Sequence, residues 1–343
     1  MNRLVLRSRW EDAIRRSWMG RPNPGLRAAA AVYGLVSDTR NLAWTLRVVE
    51  PARCSAPVIS IGGLTIGGSG KTPITASIAR RLADDGSAVA VLTAGHADEL
   101  AVHVAANADV HVAGGRNRSR LAIEAARQGA TVVLLDSGFQ HRRLHRDLDI
   151  VTILVDYHGN GERLPAGPFR ERWAEIDRAD AVVLVRRQAP PLAAEPLARE
   201  LRRSFPSLHV AHARIAPLRL EPHTGAARSV DSPQPEVAVA GVMWPDAFFS
   251  TLADVGLAPA HGVSLPDHWA VDRSTVTAVV DRSGAGGLVC TAKDAAKLVA
   301  ALPDEVPVWS VVEQVEWEEG GRRLLDATAR VAGVTEPDSA GIS

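Results

Sequence analysis

A glycine-rich segment carries the clearest chemical signal in the sequence. Residues 65–72 run Thr-Ile-Gly-Gly-Ser-Gly-Lys-Thr, between an apolar run and a helical pattern. Glycines let backbone N–H groups converge on phosphate oxygens, and the N-terminus of the following helix adds partial positive charge. We expect Lys71 to contact the β- and γ-phosphates and the Thr72 hydroxyl to bind Mg²⁺. The usual phosphate-loop pattern begins with glycine, and Thr65 stands at that position here.

The predicted contacts to a nucleoside triphosphate are Thr65, Ile66, Gly67, Gly68, Ser69, Gly70, Lys71 and Thr72. A glycine-rich turn that merely precedes a helix is the competing interpretation. Lysine usage favours the phosphate site independently, because only three of the 39 basic residues are Lys. In a chain so biased toward Arg, a Lys indicates a position where a compact ammonium matters. These positions are Lys71, Lys293 and Lys297.

A second apolar run ends in a carboxylate that can support the metal. Residues 132–136 run Val-Val-Leu-Leu-Asp. In phosphate-loop proteins an aspartate at the end of such a strand supports Mg²⁺, and we expect this role for Asp136. Taken alone, an aspartate in this place is more often a turn residue or a helix cap. The phosphate loop upstream favours the metal role.

Short apolar runs alternate with helical patterns through the first part of the chain. Strands are predicted over residues 58–61, 88–93, 110–113, 131–136, 150–156 and 181–185. Helical patterns follow the phosphate loop and cover residues 118–128. This alternation predicts an α/β fold with a mostly parallel sheet and helices on both faces, like that of P-loop nucleoside triphosphatases.

A polar, proline-rich stretch, residues 221–235, separates a second block of predicted elements. The block contains strands over 236–240, 287–291 and 308–315 and helices over 246–255 and 294–301. We therefore predict four parts along the chain. They are an N-terminal amphipathic helix (1–50), a phosphate-loop domain (51–220), a smaller α/β domain that closes the site (221–334) and a disordered tail (335–343).

Composition restricts the classes of partner. The 343 residues have a formal net charge of zero, so bulk charge does not indicate a nucleic-acid partner. Cys54 and Cys290 fit neither a metal spacing nor a disulfide framework, which favours a reducing cytoplasm. Residues 1–50 hold nine Arg against four acidic residues, a composition that suits an anionic membrane surface or a solvated helix face. The uncharged run 28–37 is too short to span a bilayer, so we expect at most peripheral attachment.

Several motifs in the same order resemble those of the tetraacyldisaccharide 4'-kinase family. The segment Ile59 to Pro73 is similar to that family's phosphate loop, which also carries Thr or Ser in place of the first glycine. The resemblance covers roughly residues 20–320. The further matching segments are Asp-Ser-Gly-Phe-Gln-His at 136–141 (family D-D-G-F-Q-H), Leu-Pro-Ala-Gly-Pro-Phe-Arg-Glu at 164–171 (L-P-A-G-P-L-R-E), Leu-Pro-Asp-His at 265–268 (F-P-D-H) and Thr-Ala-Lys-Asp at 291–294 (T-E-K-D).

The resemblance implies ATP-dependent phosphorylation of the 4'-hydroxyl of an acylated glucosamine disaccharide 1-phosphate in lipid A biosynthesis. In that family an acidic pair follows the second strand, and Asp98 and Glu99 occupy this place. Asp98 would accept the proton of the sugar hydroxyl, with His268 as its partner. A solvated helix start and a helix cap are the competing interpretations of these residues. The implied catalytic residues are Asp98, His268 and Lys71, and the implied metal ligands are Thr72, Asp136, Glu99 and Ser137.

The family resemblance also carries an expectation about location. The N-terminal helix would rest on the cytoplasmic face of the bacterial inner membrane, where the lipid substrate lies. The expected protein is a peripheral monomer whose ligands are ATP, Mg²⁺ and the acylated disaccharide lipid, without nucleic acid.

The sequence departs from the family at its presumed site. Ser137 replaces the second Asp of D-D-G-F-Q-H, and a hydroxyl neutralises no metal charge. Ala94, Trp269 and Ala292 replace a family Arg, His and Glu. Two hypotheses remain: an active kinase, which the retained motif residues favour, and a catalytically impaired ATP-binding homologue with a regulatory role. A GTPase-like switch would need an N-K-x-D segment, which the sequence lacks.

Overall fold

The computed structural model describes residues 2–5, 14, 17–107, 109–157, 159–230, 233–267, 269, 279, 281 and 286–334. The described strands are β1 (Asn2–Val5), β2 (Val58–Gly62), β3 (Val89–Thr93), β4 (His111–Gly114), β5 (Val132–Asp136), β6 (Leu148–Leu154), β7 (Ala181–Arg186), β8 (His209–Pro222), β9 (Val237–Ala240), β10 (His261–Ser264), β11 (Leu288–Thr291) and β12 (Val308–Trp317). The described α-helices are α1 (Pro24–Thr45), α2 (Lys71–Asp84), α3 (Ala97–Ala106), α4 (Arg118–Arg127), α5 (Glu195–Ser204), α6 (Gly225–Arg228), α7 (Pro245–Thr251), α8 (Ala292–Ala301) and α9 (Gly321–Val331).

These strands form one sheet in the order β1-β10-β9-β11-β12-β8-β7-β6-β2-β5-β3-β4. All the described ladders are parallel except the long antiparallel pairing of β12 with β8. That pair joins the two parallel halves of the sheet. The prediction of a mostly parallel sheet with helices on both faces is confirmed. The division into two domains at about residue 220 stays a prediction.

The sheet is curled. The helices that follow β3 and β11 are in contact, because Lys297 on α8 bonds to Asp98 on α3 at 3.1 Å. Yet β3 and β11 are seven places apart in the strand order, which is about 34 Å in a flat sheet at the usual strand spacing. Curling brings the second half of the chain over the phosphate loop.

Burial on both faces explains why the first strands were predictable. Every residue of β2, β3 and β5 is buried, as expected for parallel strands covered by helices on each side. Strand β8 escaped prediction because its first half is mostly buried and its second half mostly half-buried, so neither a fully buried nor an alternating pattern runs through it. The other described strands and α-helices that were not predicted are β1, β10, α3, α5, α6 and α9. The predicted tail, 335–343, lies outside the described residues.

The N-terminal helix α1 buries a stripe of small and polar residues. Pro24 occupies its first turn, and the Asn23 side chain caps it by accepting a hydrogen bond from the N–H of Gly25 at 2.7 Å. Its buried residues are Ala30, Gly34, Ser37 and Asn41. Its outer face exposes large apolar side chains, namely Val32, Leu35, Val36 and Leu42, and Leu46 follows the last turn. In the described part of the chain, none of the helices has the length and apolar character required to cross a membrane.

Candidate functional site

The phosphate loop lies between β2 and α2, as its sequence predicted. Gly67, Gly68 and Gly70 have φ angles of 62°, 68° and 80°, a backbone region that residues with a Cβ rarely adopt. Helix α2 then starts at Lys71 with no side-chain cap, so its N-terminus faces the loop. This arrangement suits an anion, because uncapped N–H groups and the helix dipole both favour negative charge.

Two hydroxyl groups, one in the loop and one on β6, position Lys71. Its ammonium donates to the Ser69 hydroxyl at 3.1 Å, and the Thr152 hydroxyl on β6 donates to the same oxygen at 3.0 Å. Burial, followed by the positive charge of Arg170, lowers the pKa of Lys71 to about 8, against the opposing effect of Asp136. An ammonium with this pKa gains most from a bound anion, since the anion compensates for the lost hydration.

The end of β5 meets the start of α2. The Thr72 hydroxyl donates to Asp136 Oδ2 at 2.8 Å, and the Ser137 hydroxyl donates to Asp136 Oδ1 at 3.3 Å. This contact follows from topology, because β2 and β5 are parallel neighbours and their carboxyl ends lie at one edge. The structure thus brings together Thr72, Asp136 and Ser137, three of the four predicted metal ligands.

A buried histidine completes the surroundings of Asp136. His103 Nε2 lies 2.9 Å from Asp136 Oδ2, and both side chains are fully buried. Because an ionised carboxylate only accepts, we assign the ring proton to Nε2. Burial acts to raise the pKa of Asp136, but His103, Lys71 and Thr72 outweigh it and lower that pKa to about 2. Asp136 is therefore a stable anion at neutral pH.

A cavity of about 410 Å³ opens above the loop. The loop forms its floor, and the segment before α7 and the start of α8 form the facing wall. Its cationic lining residues are Lys71, Arg170, Arg187 and Lys293, and its acidic ones are Glu99, Asp267 and Glu313. Burial acts to lower the pKa of Lys293, but Asp267 and then Glu99 and Asp136 outweigh it and raise that pKa. The cavity therefore offers fixed positive charge opposite the phosphate loop.

The predicted acidic pair begins α3, and its two members are placed differently. Glu99 lines the cavity, and its buried Oε2 has no hydrogen-bond partner among the described residues. Asp98 is 3% exposed, and its Oδ2 accepts from Lys297 at 3.1 Å. His268, the predicted partner of Asp98, lies outside the described residues. Whether Asp98 and His268 act as a catalytic pair stays a prediction.

Comparison with known proteins identifies the family. Residues 23–330 match the LpxK family, described as tetraacyldisaccharide-1-P 4'-kinase. A tetraacyldisaccharide 4'-kinase from Geobacter sulfurreducens is 34% identical over 82% of this chain and 86% of its own length. The enzyme of that name from Pelobacter propionicus is 35% identical over 78% of this chain and 81% of its own length. This chain belongs to the LpxK family.

A solved LpxK supports the fold. The chain resembles Aquifex aeolicus LpxK crystallised with ATP, with a TM-score of 0.66 and 23% identity, over 89% of this chain and 97% of that one. The resemblance inferred from the motifs is confirmed, and so is the predicted enzyme class, a kinase with a hydroxyl acceptor.

The departures from the LpxK motifs have visible structural consequences. Ser137 has a φ of 60°, a left-handed conformation that Asp and Asn also tolerate well. Trp269 is buried and donates from Nε1 to Asp294 Oδ1 at 2.8 Å. Met243 and Trp244 pack directly on the phosphate loop. A Cβ on Gly68 would lie 2.3 Å from Trp244 Cδ1, so this close approach depends on glycine.

Sequence reasoning missed two residues that support the LpxK site. His103 is four positions after Glu99 on α3, a helical spacing that places both side chains on one face. That spacing is the signal that could have connected His103 to the acidic pair. Lys297 is one of the three lysines of the chain, and its ammonium forms an ion pair with Asp98. Lys293 of the same set lines the cavity.

Proposed function

We propose that this chain transfers the γ-phosphoryl group of ATP to the 4'-hydroxyl of an acylated glucosamine disaccharide 1-phosphate, a step of lipid A biosynthesis. The observation that carries the proposal is the 2.8 Å contact between Thr72 and Asp136 at the mouth of the phosphate loop, in a chain of the LpxK family. This pairing is the arrangement by which phosphate-loop enzymes bind the metal of a nucleoside triphosphate.

The donor set fits Mg²⁺. The hydroxyl oxygens of Thr72 and Ser137 each contact the Asp136 carboxylate. Glu99 adds a buried carboxylate oxygen that lacks a donor among the described residues. A small hard cation prefers oxygen ligands of this kind. When bound, Mg²⁺ would neutralise charge on the β- and γ-phosphates. Thr72 would be its direct ligand, with Asp136 and Glu99 as the anionic groups that retain it.

The other side chains would position the reactants. Lys71 and Arg170 would hold the phosphates from the loop side, since the Arg170 N–H donates to Leu64 O beside the loop. Lys293 would hold negative charge from the facing wall of the cavity. Asp98 would accept the proton of the sugar hydroxyl. The Lys297 ammonium, 3.1 Å from Asp98 Oδ2, would hold this carboxylate in position. Catalysis would then be mainly positioning and charge neutralisation.

The acceptor lipid explains the outer face of α1. Val32, Leu35 and Val36 are each about two-thirds exposed on a helix that has a polar inner face. Large apolar side chains clustered outward in this way suit an interfacial helix lying in the surface of a bilayer. We therefore propose peripheral attachment of a monomer at the cytoplasmic face of the inner membrane.

The test of the reaction uses wild-type protein, Mg-ATP and a tetraacylated disaccharide 1-phosphate. We expect mass spectrometry to find one added phosphate on the disaccharide, and ADP release that depends on the acceptor. ATP binding without phosphorylated product at any pH would contradict the proposal and support the impaired homologue. The variant Ser137→Asp tests whether the serine impairs the site. A large gain in rate would mean that the site had lost a required carboxylate, and an unchanged rate would mean that it works with Ser137.

The test of attachment uses sedimentation with vesicles that contain anionic lipid. We expect Leu35→Asp to lose most vesicle binding, because it places a charge in the middle of the apolar face. Leu192→Asp is the matched control, since Leu192 is 80% exposed on a different surface. Equal binding by wild-type protein and Leu35→Asp would contradict an interfacial role for α1.

A further inference from the structure

A group of metal-ligating side chains lies outside the nucleotide cavity. Ligand atoms of Glu195, His212 and Glu319 all lie within 4.8 Å of one another. Glu195 is the first residue of α5, His212 lies on β8, and Glu319 follows β12. These positions are far apart in the sequence, so the tertiary fold assembles the group.

The histidine of this group is buried without a hydrogen-bond partner for one of its ring nitrogens. His212 is 6% exposed, and its Nε2 makes no hydrogen bond among the described residues. An imidazole nitrogen removed from water normally bonds to a donor, an acceptor or a metal ion. Two carboxylates nearby make a cation the ligand that best satisfies it.

The backbone holds the group together. The N–H of His212 donates to Glu319 O at 2.8 Å, and the N–H of Glu318 donates to His212 O at 2.9 Å. These two bonds fix the turn after β12 against β8. Arg202 on α5 donates to Glu319 Oε1 at 2.6 Å, so one carboxylate already attracts a cation. A metal ion would therefore share Glu319 with Arg202.

We propose that Glu195, His212 and Glu319 form a binding site for a divalent transition-metal ion of the zinc class. One imidazole and two carboxylates suit Zn²⁺, Mn²⁺ or Co²⁺, whereas Mg²⁺ prefers an all-oxygen set. The bound ion links α5, β8 and the turn after β12, because each of them supplies one ligand. Binding of the ion depends only on these three side chains and not on the kinase reaction.

The site is separate from the nucleotide cavity. His212 and Ile215 are three residues apart on β8, so their side chains project to opposite faces of the sheet. Ile215 lies against the phosphate loop, 2.8 Å from the position of a Cβ on Gly70. The proposed ion therefore binds on the face that α5 covers, away from bound ATP.

The experiment measures Zn²⁺ binding to full-length protein, first stripped with chelator, in buffer that contains excess Mg²⁺ to occupy the kinase site and no ATP, which would itself bind Zn²⁺. We expect calorimetry to find one bound Zn²⁺, and the melting temperature to rise with Zn²⁺ concentration. Co²⁺ in place of Zn²⁺ should give visible absorption bands. The absence of Zn²⁺ binding by the wild-type chain would overturn the proposal.

Variants test the ligands. His212→Gln, Glu195→Gln and Glu319→Gln should each weaken Zn²⁺ binding by at least about ten-fold, a loss that even weaker metal-supporting contacts produce. Glu319 is exposed and Glu195 is partly exposed, so their variants keep the test valid if His212→Gln does not fold. His145→Gln is the matched control, because His145 is a partly exposed histidine 3.7 Å from Asp147. Equal affinity in wild-type protein and all three ligand variants would overturn the site.

Arg202 offers a test in the opposite direction. Arg202→Gln removes the cation that competes for Glu319, so Zn²⁺ should bind more tightly to this variant than to the wild type. A structural ion pair without a metal site would show no such gain.

Discussion

The phosphate-loop edge of the sheet and the wall that faces it each contain a fully buried aspartate, and the two carboxylates have different surroundings. Asp136 accepts from the Thr72 hydroxyl and from His103, with the Lys71 ammonium nearby. Asp294 accepts from the Gly241 N–H at 2.8 Å, Trp269 Nε1 at 2.8 Å and the Thr291 hydroxyl at 2.6 Å. Asp136 therefore lies in the proposed catalytic site, whereas Asp294 joins three separate segments through its hydrogen bonds.

Their pKa values move in opposite directions. Burial acts to raise both, but His103, Lys71 and Thr72 reverse the effect at Asp136 and lower its pKa to about 2. At Asp294, burial outweighs the hydrogen bonds, and the pKa is raised. His103, Lys71 and Thr72 together favour the anion of Asp136, whereas the donors around Asp294 and the nearby Lys297 ammonium do not overcome its burial. Substitutions at the phosphate-loop edge should therefore affect turnover, and substitutions at the wall that faces it should affect stability.

The largest effect is expected at the loop lysine. Lys71→Ala should lower acceptor-dependent ADP release by at least about 10³-fold, because the ammonium stabilises charge on the transferring phosphoryl group. Arg80→Ala, an exposed change on the same helix, is the control and should leave the rate within about two-fold. Retention of wild-type turnover in Lys71→Ala would remove the loop from the mechanism.

Asp136→Asn should lower kcat by about 10²–10³-fold, with a smaller change in ATP affinity. Asparagine keeps the size of the side chain and an oxygen that accepts from Thr72, but it loses the negative charge that retains Mg²⁺. Initial rates over a range of Mg²⁺ concentrations measure the effect. Full turnover at ordinary Mg²⁺ concentrations would mean that the ion is held elsewhere.

Asp294→Ala should destabilise the fold by about 2–4 kcal/mol, because it leaves buried donors of Gly241 and Trp269 without an acceptor. Urea unfolding measures the change. At low temperature the folded variant should keep turnover within about ten-fold of wild type. A loss of activity as large as that of Asp136→Asn, with unchanged unfolding, would contradict the contrast between the two edges.

His103→Gln should raise the Mg²⁺ concentration for half-maximal rate by about ten-fold, with a smaller loss of kcat at saturating Mg²⁺. The histidine orients Asp136 rather than touching the substrate, so excess metal should restore most of the rate. His111→Gln, at an exposed histidine on β4, is the control. A loss of kcat that no concentration of Mg²⁺ restores would argue for a direct role of His103.

The smallest effect is expected from the pH dependence of His141. Burial, and then Arg118, Arg146 and Arg143, lower the pKa of His141 to about 4 from its usual 6.5. The unfolded chain therefore takes up the proton first, and folding stability falls as pH drops from 6.5 toward 4. His141→Gln should remove this contribution, about 1 kcal/mol for a half-exposed ring. Urea midpoints at several pH values measure it, and an unchanged slope in the variant would contradict the assignment.

Much of the phosphate-loop edge could be predicted from the sequence. Strands such as β2 and β5 are buried on both faces, so their apolar runs mark them within about one residue. Placing Lys71, Thr72 and Asp136 together required only that the strands be parallel and close in the sheet. Glu99 also lies at the cavity, as the acidic pair suggested.

The facing edge could not be predicted in the same way. The pairing of β8 with β12 joins segments about a hundred residues apart, and the mixed burial of β8 conceals it as a strand. The contacts of Lys297 with Asp98 and of Trp269 with Asp294 likewise depend on how the sheet curls. Local patterns carry no information about such long-range contacts.

A crystal structure with Mg²⁺ and a non-hydrolysable ATP analogue tests the central claim most directly. We expect the β- and γ-phosphates on the backbone amides of residues 67–71, Lys71 in contact with them, and the ion about 2.1 Å from the Thr72 hydroxyl oxygen, on the side of Asp136. A nucleotide bound away from this loop, or an ion with no approach to Thr72 and Asp136, would contradict it.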